Sequence, residues 1–311
     1  MIRSCLAVLL YLVLAVINPV FSLDLPQKQV TILQMVEHPA LNSTRQGIID
    51  ELKENNINIT YQSAQGNAQL AIQIANHFVN LSPNCLVGLG TTATQALVAA
   101  NQTAEIPIVF SSVTDPIAAQ LVQNLKNPSG NITGVSNYLD PTVQFTFLKK
   151  MLPSLKRLGI LYNPGEANSV VLLEKMQQAA KKMGLELVVA PINQTAEVVN
   201  ATQSLLFKID AIFINNDNTA LSAFDAIINA TRHYNLPVFC SDIDMLNRGA
   251  LAAIGPDQYQ IGRKTGKMIL QILNSKKPQD IPVLFADVFQ TKINYPEAMR
   301  LNIDVPKEFL Q

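Results

Sequence analysis

The sequence predicts an α/β protein built of two similar doubly wound (Rossmann-like) lobes, and three observations predict it. From Gln29 onward, short β-rich runs alternate with stretches of helical periodicity, the order that parallel sheets with crossover helices produce. The two halves echo each other in layout: each opens with a strand ending in a polar loop, continues into a long helix and returns as an extended strand. At 311 residues and 48% hydrophobic composition, the chain is long enough to bury two cores.

The first residues precede that pattern. Met1-Ile2-Arg3-Ser4, the apolar run Cys5 to Ile17 and then Asn18-Pro19-Val20-Phe21-Ser22 have the charged start, apolar centre and small-residue cleavage site of a secretory signal. The signal is placed at residues 1–22, with the cut near Ser22-Leu23. The apolar run is shorter than the ~20 residues a membrane-spanning helix needs. Cys5 stands at its beginning, not at its end where lipid attachment would require a cysteine. The expected mature protein is therefore exported, not a lipoprotein, and free in an oxidising compartment, most simply a Gram-negative periplasm.

In the first half, strands are expected at Val30–Val36, Ile57–Gln62, Cys85–Gly90, Ile106–Val113 and Ile132–Asn137, with helices at Asn42–Asn55, Ala68–Leu81 and Thr91–Ala100. The second half repeats the scheme with strands at Leu158–Tyr162, Leu185–Ala190, Ala211–Asn215, Val238–Ser241 and Leu251–Ile254. Its helices are expected at Pro141–Met151, Ala167–Met183, Ala196–Lys208, Ala220–Tyr234 and Gln258–Asn274. Asn55-Asn56 and Met183-Gly184 supply helix-ending signals before the second strand of each half. No low-complexity linker divides the halves, so strand-like crossings, not a tether, are expected to join them.

Charge and cysteine content narrow the function. Lys plus Arg and Asp plus Glu number 23 each, with no long run of one sign, so neither nucleic acid nor an anionic membrane surface is the expected partner. Beyond the signal only Cys85 and Cys240 remain, both in apolar strand-like runs. The compartment would allow a disulfide, but the two fall in different halves, and buried free thiols are the expectation. Three scattered histidines give no metal-ligand spacing, and no cofactor is expected.

Ligands of open parallel sheets gather beyond the carboxyl ends of the strands, where loops lead into helix N-termini with unpaired N–H groups. In the first half those loops carry Thr91 and Thr92 at the start of a helix and Ser111 and Ser112 at the end of a strand, all donors suited to a carboxylate. Asp115 before Pro116 is expected to cap a following helix. Glu37 and His38 follow the first strand, but adjacent residues of an extended segment point apart and no partnered nucleophile is evident; they are expected to wall a cleft, not to catalyse. In the second half the strand ends carry Asn168 and Ser169, Asp217 and Asn218, and Asp242. Asp217 and Asp242 could pair with an ammonium or cap the helices that follow. Donors on one lobe and acids on the other suit a zwitterion, and an amino acid is the expected ligand class. Tyr138 could help fill the space between. Neither a phosphate-binding glycine loop nor a nucleophile elbow is present.

Several of these loops also carry tags of a known family. Val36-Glu37-His38-Pro39-Ala40-Leu41, Ile106-Pro107-Ile108-Val109-Phe110 with Thr114-Asp115-Pro116, Asn131-Ile132-Thr133-Gly134-Val135-Ser136, Tyr162-Asn163 with Glu166-Ala167-Asn168-Ser169, Asp217-Asn218-Thr219 and Gly249-Ala250-Leu251-Ala252 occur in order. The chain thereby resembles ABC transporter substrate-binding proteins of the tryptophan/tyrosine-type branch from about Val30 to Pro306. The resemblance implies a type I periplasmic-binding-protein fold, with three crossings between lobes and a cleft that closes on its ligand. It divides the chain into 29–137 plus 256–282 and 138–255 plus 283–311. It also implies an aromatic amino acid as ligand and a membrane permease as partner, with no enzymatic activity; a monomer is expected. The expected roles are Thr91, Thr92 and Ser111 on the ligand carboxylate, Asp217 and Asp242 on its ammonium, and Glu37, Asn168 and Ser169 along the cleft. The alternatives are a ligand-presenting sensor module, whose binding chemistry would be the same, and a binder of another small polar solute, with a periplasmic enzyme using the same cleft a more distant reading.

Overall fold

In the computed structural model, which describes residues 27–128 and 130–310, the apolar runs become strands buried on both faces. The expected signal at residues 1–22 lies outside the described residues. The first lobe contains β1 (Lys28–Gln34), α1 (Pro39–Leu52), β2 (Ile57–Ser63), α2 (Ala68–Asn80), β3 (Cys85–Leu89), α3 (Thr91–Ala100), β4 (Ile108–Val113) and β5 (Ile132–Ser136). The second contains α4 (Pro141–Met151), β6 (Arg157–Tyr162), α5 (Ala167–Met183), β7 (Glu186–Pro191), α6 (Val198–Leu205), β8 (Ala211–Ile214), α7 (Asn218–Ser222), α8 (Phe224–Arg232), β9 (Val238–Cys240) and β10 (Ala252–Pro256). The chain returns to the first lobe for α9 (Gln258–Leu273) and β11 (Leu284–Phe285), then ends in the second with β12 (Phe289–Ile293) and α10 (Tyr295–Arg300).

The two sheets have the same strand order, β2-β1-β3-β4-β5-β11 and β7-β6-β8-β9-β10-β12. All pairings are parallel except that of β12 with β10. Side-chain alternation along a strand sends successive residues to opposite faces. Val30 and Ile32 therefore join Ile48 of α1 and Ile269 of α9 on one face of the first sheet, while Leu33 and Leu86 meet Phe78 of α2 and Leu97 of α3 on the other. In the second sheet Phe213 packs with Phe145 and Leu172, and its neighbour Ile212 with Leu205 and Ile227. Each lobe is thus doubly wound, and the chain crosses between lobes three times, after β5, β10 and β11.

The structure shifts several expected boundaries. Leu284 and Phe285 pair with Val135 and Ser136, so the third crossing follows Phe285 instead of Pro282, and Pro256 belongs to the second sheet through its pairing with Phe289. The segment after β4 forms turns in place of the helix expected there; Asp115 accepts from Ala118 N (3.0 Å) but caps only a turn. Helix α1 begins at Pro39, because His38 serves as its N-cap and proline suits the first helical position. The helix expected over Ala220–Tyr234 is two, α7 and α8, broken at Ala223. Cys85 lies in β3 and Cys240 in β9, both buried and free, and burial pushes the Cys85 thiol up to about 12.

Candidate functional site

The equivalent order of the two sheets places their carboxyl ends face to face, and a small, narrow cavity lies between them. From the first lobe it is lined by His38, Ala40, Leu41, Gly90, Thr91, Ser112, Thr114, Asn137 and Gln258; from the second by Asn168, Asn216, Asn218 and Leu221. Thr91, Ser112, Asn168 and Asn218 are the sequence-predicted residues that meet there.

The lining of the first lobe is rich in donors. Gly90 precedes α3 with φ +90, a conformation open to glycine, and brings the first turn of α3 to the cavity. The N–H groups of that turn have no partner within the helix. Thr91 Oγ1 is buried and has no hydrogen-bond partner among the described residues. Gln258 Oε1 accepts from Thr44 Oγ1 (3.1 Å) and Ser112 Oγ (2.9 Å), which fixes the amide and leaves its Nε2 as a donor. Ser112 holds φ +54 where the β4–β5 register shifts, so the loop that presents it is a strained one.

The lining of the second lobe is organised by Glu166, which precedes α5. Its Oε2 accepts from Asn168 Nδ2 (3.3 Å), Asn218 N (3.0 Å) and Asn218 Nδ2 (2.7 Å), and its Oε1 from Thr219 N (3.0 Å) and Thr219 Oγ1 (2.8 Å). Asn168 Nδ2 also donates to Asn216 O (2.8 Å). Asn168 Oδ1 is buried without a hydrogen-bond partner among the described residues. Across the cleft, His38 Nδ1 accepts from Leu41 N, so Nε2 carries the proton and donates to Asn218 Oδ1 (3.3 Å). Burial pushes the His38 pKa down to about 4, which keeps this bridge neutral.

The remaining predicted residues stand away from the lining. Asp217 caps α7 through Ala220 N (2.7 Å), and its other oxygen accepts from Asn163 N and Ser169 Oγ, each at 2.6 Å; Ser169 is thereby turned inward with it. Burial first and the Glu166 charge second push Asp217 up to about 7. Asp242 caps the turn Ile243–Arg248 through Asp244 N (3.0 Å), its Oδ2 is buried without a hydrogen-bond partner among the described residues, and burial pushes its pKa, too, up to about 7. Ser111 Oγ pairs with Thr265 Oγ1 (2.7 Å) beneath the sheet edge. Glu37 is exposed and joined to Arg45 (3.2 Å) and Tyr61, Thr92 is a half-buried residue of α3 outside the lining, and Tyr138 stands at the first crossing with the Lys175 ammonium 5.1 Å from its ring. Sequence reasoning missed Gln258, Asn137 and Asn216. Gln258 had a readable signal, a polar residue opening a helix directly after a strand.

Two doubly wound lobes that enclose a polar cavity at their strand ends define a two-lobed solute-binding protein. The chain belongs to the ABC transporter substrate binding proteins, whose family model matches residues 29–311. A tyrosine-binding protein of Clostridioides difficile is 34% identical over 86% of this chain and 79% of its own. Among solved structures, a conserved domain protein of Vibrio cholerae is 41% identical with TM-score 0.88, covering 91% of this chain and 97% of that one. A Streptococcus pneumoniae domain in complex with L-Trp is 32% identical with TM-score 0.87 over the same shares. A ligand-free, open substrate-binding protein with adhesive properties from Clostridium difficile is 31% identical with TM-score 0.68, covering 90% and 96%. The overlap is greater with the domain that holds L-Trp than with the ligand-free, open protein. The family and the fold are those of substrate-binding proteins, not enzymes, and such proteins serve ABC transporters outside the cytoplasm.

Proposed function

We propose that this protein takes an aromatic L-amino acid (tryptophan, tyrosine or phenylalanine) into the interlobe cavity and presents it, lobes closed, to the permease of an ABC importer. The observation that carries the reading is the polarity of the cavity: unfilled donors on the first lobe oppose an unfilled acceptor on the second, as a zwitterion requires. Thr91, the first-turn N–H groups of α3 and Gln258 receive the carboxylate. In this reading Asn168 Oδ1 receives the ammonium, and Leu41 and Leu221 lie along the side chain. The aromatic preference rests on two relatives, one named for tyrosine and one holding L-Trp. In this reading the moving bodies are residues 29–137 with 257–285 and residues 138–256 with 289–310. The protein acts as a monomer in the periplasm after removal of residues 1–22.

Thermal unfolding of protein freed of ligand by unfolding and refolding tests the reading, because a ligand that binds only the native state raises its melting temperature. At least one of the three aromatic amino acids should raise it by several degrees at 1 mM, on the order of 2–4 kcal/mol for a ligand at 100 to 1,000 times its Kd. A transition unmoved by all three would overturn the ligand class.

A further inference from the structure

Glu166 is not itself in the cavity lining, yet through Asn168 and Asn218 it bears on which atoms the second lobe presents there. A terminal amide can point either its oxygen or its NH2 group in a given direction, and only its hydrogen-bond partners choose. The Nδ2 groups of Asn168 and Asn218 both converge on Glu166 Oε2, at 3.3 and 2.7 Å. A carboxylate oxygen accepts and cannot donate, so both amides are forced to turn their NH2 groups inward and their oxygens toward the cleft. The consequences are visible at both oxygens. Asn218 Oδ1 meets His38 of the other lobe, and Asn168 Oδ1, on a side chain only 6% exposed, is left without a partner at the cavity. The backbone N–H groups of Asn218 and Thr219 hold the carboxylate itself in place.

We infer that Glu166 is the positioning residue for ligand recognition: by fixing the orientation of two asparagine amides it makes the second lobe a neutral acceptor for a ligand ammonium and selects α-amino acids over acids of the same shape that lack the amine. The inference rests on the proposed amino-acid ligand and adds to it the residue that makes the site specific for the amine.

The experiment compares L-tryptophan with 3-(indol-3-yl)propionate, the same skeleton without the amine, by calorimetry on the parent, Glu166→Gln, Glu166→Asp and Asn168→Ala, with melting temperatures recorded alongside. Glu166→Gln places an NH2 group where an acceptor stood and releases the asparagine orientation. Glu166→Asp keeps the charge but shortens its reach to the two amides, and it serves if the glutamine variant does not fold. Loss of a charge-assisted hydrogen bond weakens binding by roughly ten- to a hundredfold. The expected result is a loss of that size for L-tryptophan in all three variants, with propionate affinity held within a factor of about two. Combining Glu166→Gln with Asn168→Ala should add little beyond either change, since both act through one acceptor. Equal weakening of both ligands would assign Glu166 a structural role only and overturn the inference, as would unchanged selectivity. If the parent binds neither L-tryptophan nor any other aromatic amino acid, the ligand class itself fails first and the inference falls with it.

Discussion

Asp217 and Asp242 occupy matching places, beyond the carboxyl ends of β8 and β9, and each bends inward to cap the turn that follows. Their burial has a consequence for stability. Burial pushes Asp242 up to about 7, against an ordinary value of 3.8. Between those values the native carboxyl holds its proton while the unfolded one has lost it, so this group's contribution to stability falls as pH rises through that window. His38 opposes it: with a native value of about 4 against 6.5, it contributes stability that is lost as pH falls from 6.5 to about 4. The difference between parent and Asp242→Asn isolates the aspartate. The parent should gain stability relative to the variant as pH falls from 7 toward 4, by up to about 1.4 kcal/mol per pH unit. Urea melts of both proteins at pH 8, 6 and 4.5 read this directly, and parallel stabilities across that range would contradict it. The sequence showed that acids follow these strands. It could not show which way they turn, because a carboxylate one or two residues past a strand reaches either the cleft or the next helix, and the choice depends on neighbours such as Asn163 and Ser169, 48 or more residues away.

At the scale of elements, α1 and α9 cross so closely that side chains are excluded from the contact. A Cβ on Gly262 would run into the carbonyl oxygen of Thr44, and one on Gly47 into that of Tyr259. This crossing is what brings Gln258, at the start of α9, beside Thr44 and Ser112 at the cavity. Gly262→Ala should therefore push the helices apart and destabilise the protein by about 1–3 kcal/mol, the usual range for overpacking. A calorimetric melting curve indistinguishable from the parent's would refute it. Such a crossing is invisible to periodicity, since α1 and α9 are separated by the whole second lobe. The strands, by contrast, were nearly all legible: the ten expected runs match β1 to β10 within one or two residues at most ends, because residues buried on both faces form unbroken apolar stretches. The two missed strands, β11 and β12, are edges with exposed residues such as Leu284, Phe285 and Phe289, and they lack that signal. The break between α7 and α8 is likewise tertiary, with Phe224 fully buried one residue after Ala223.

In the proposed reading the whole molecule works as an equilibrium between open and closed lobes, and contacts between the lobes help to set its position. Besides the His38–Asn218 bridge, Lys175 of α5 reaches Asp115 of the first lobe at 3.3 Å and stands over Tyr138 at the first crossing. Both charged groups keep access to water, so the pair contributes modestly to closure. Apparent affinity scales with the fraction of molecules in the binding-competent state, so a change that disfavours closure weakens every ligand by the same factor. Lys175→Glu sets two carboxylates against each other across the cleft and should weaken all ligands by roughly fivefold at low salt, with no change in preference among them. In 0.5 M salt, where the screening length is only a few ångströms, most of that loss should disappear. Titration calorimetry with L-tryptophan and L-tyrosine at both salt concentrations distinguishes this outcome from a change in the site itself, which would alter their ratio and survive the salt. The same comparison separates two kinds of residue that the sequence lists without distinction: those such as Asn168 that line the cavity, and those such as Lys175 whose contact bridges the lobes outside it.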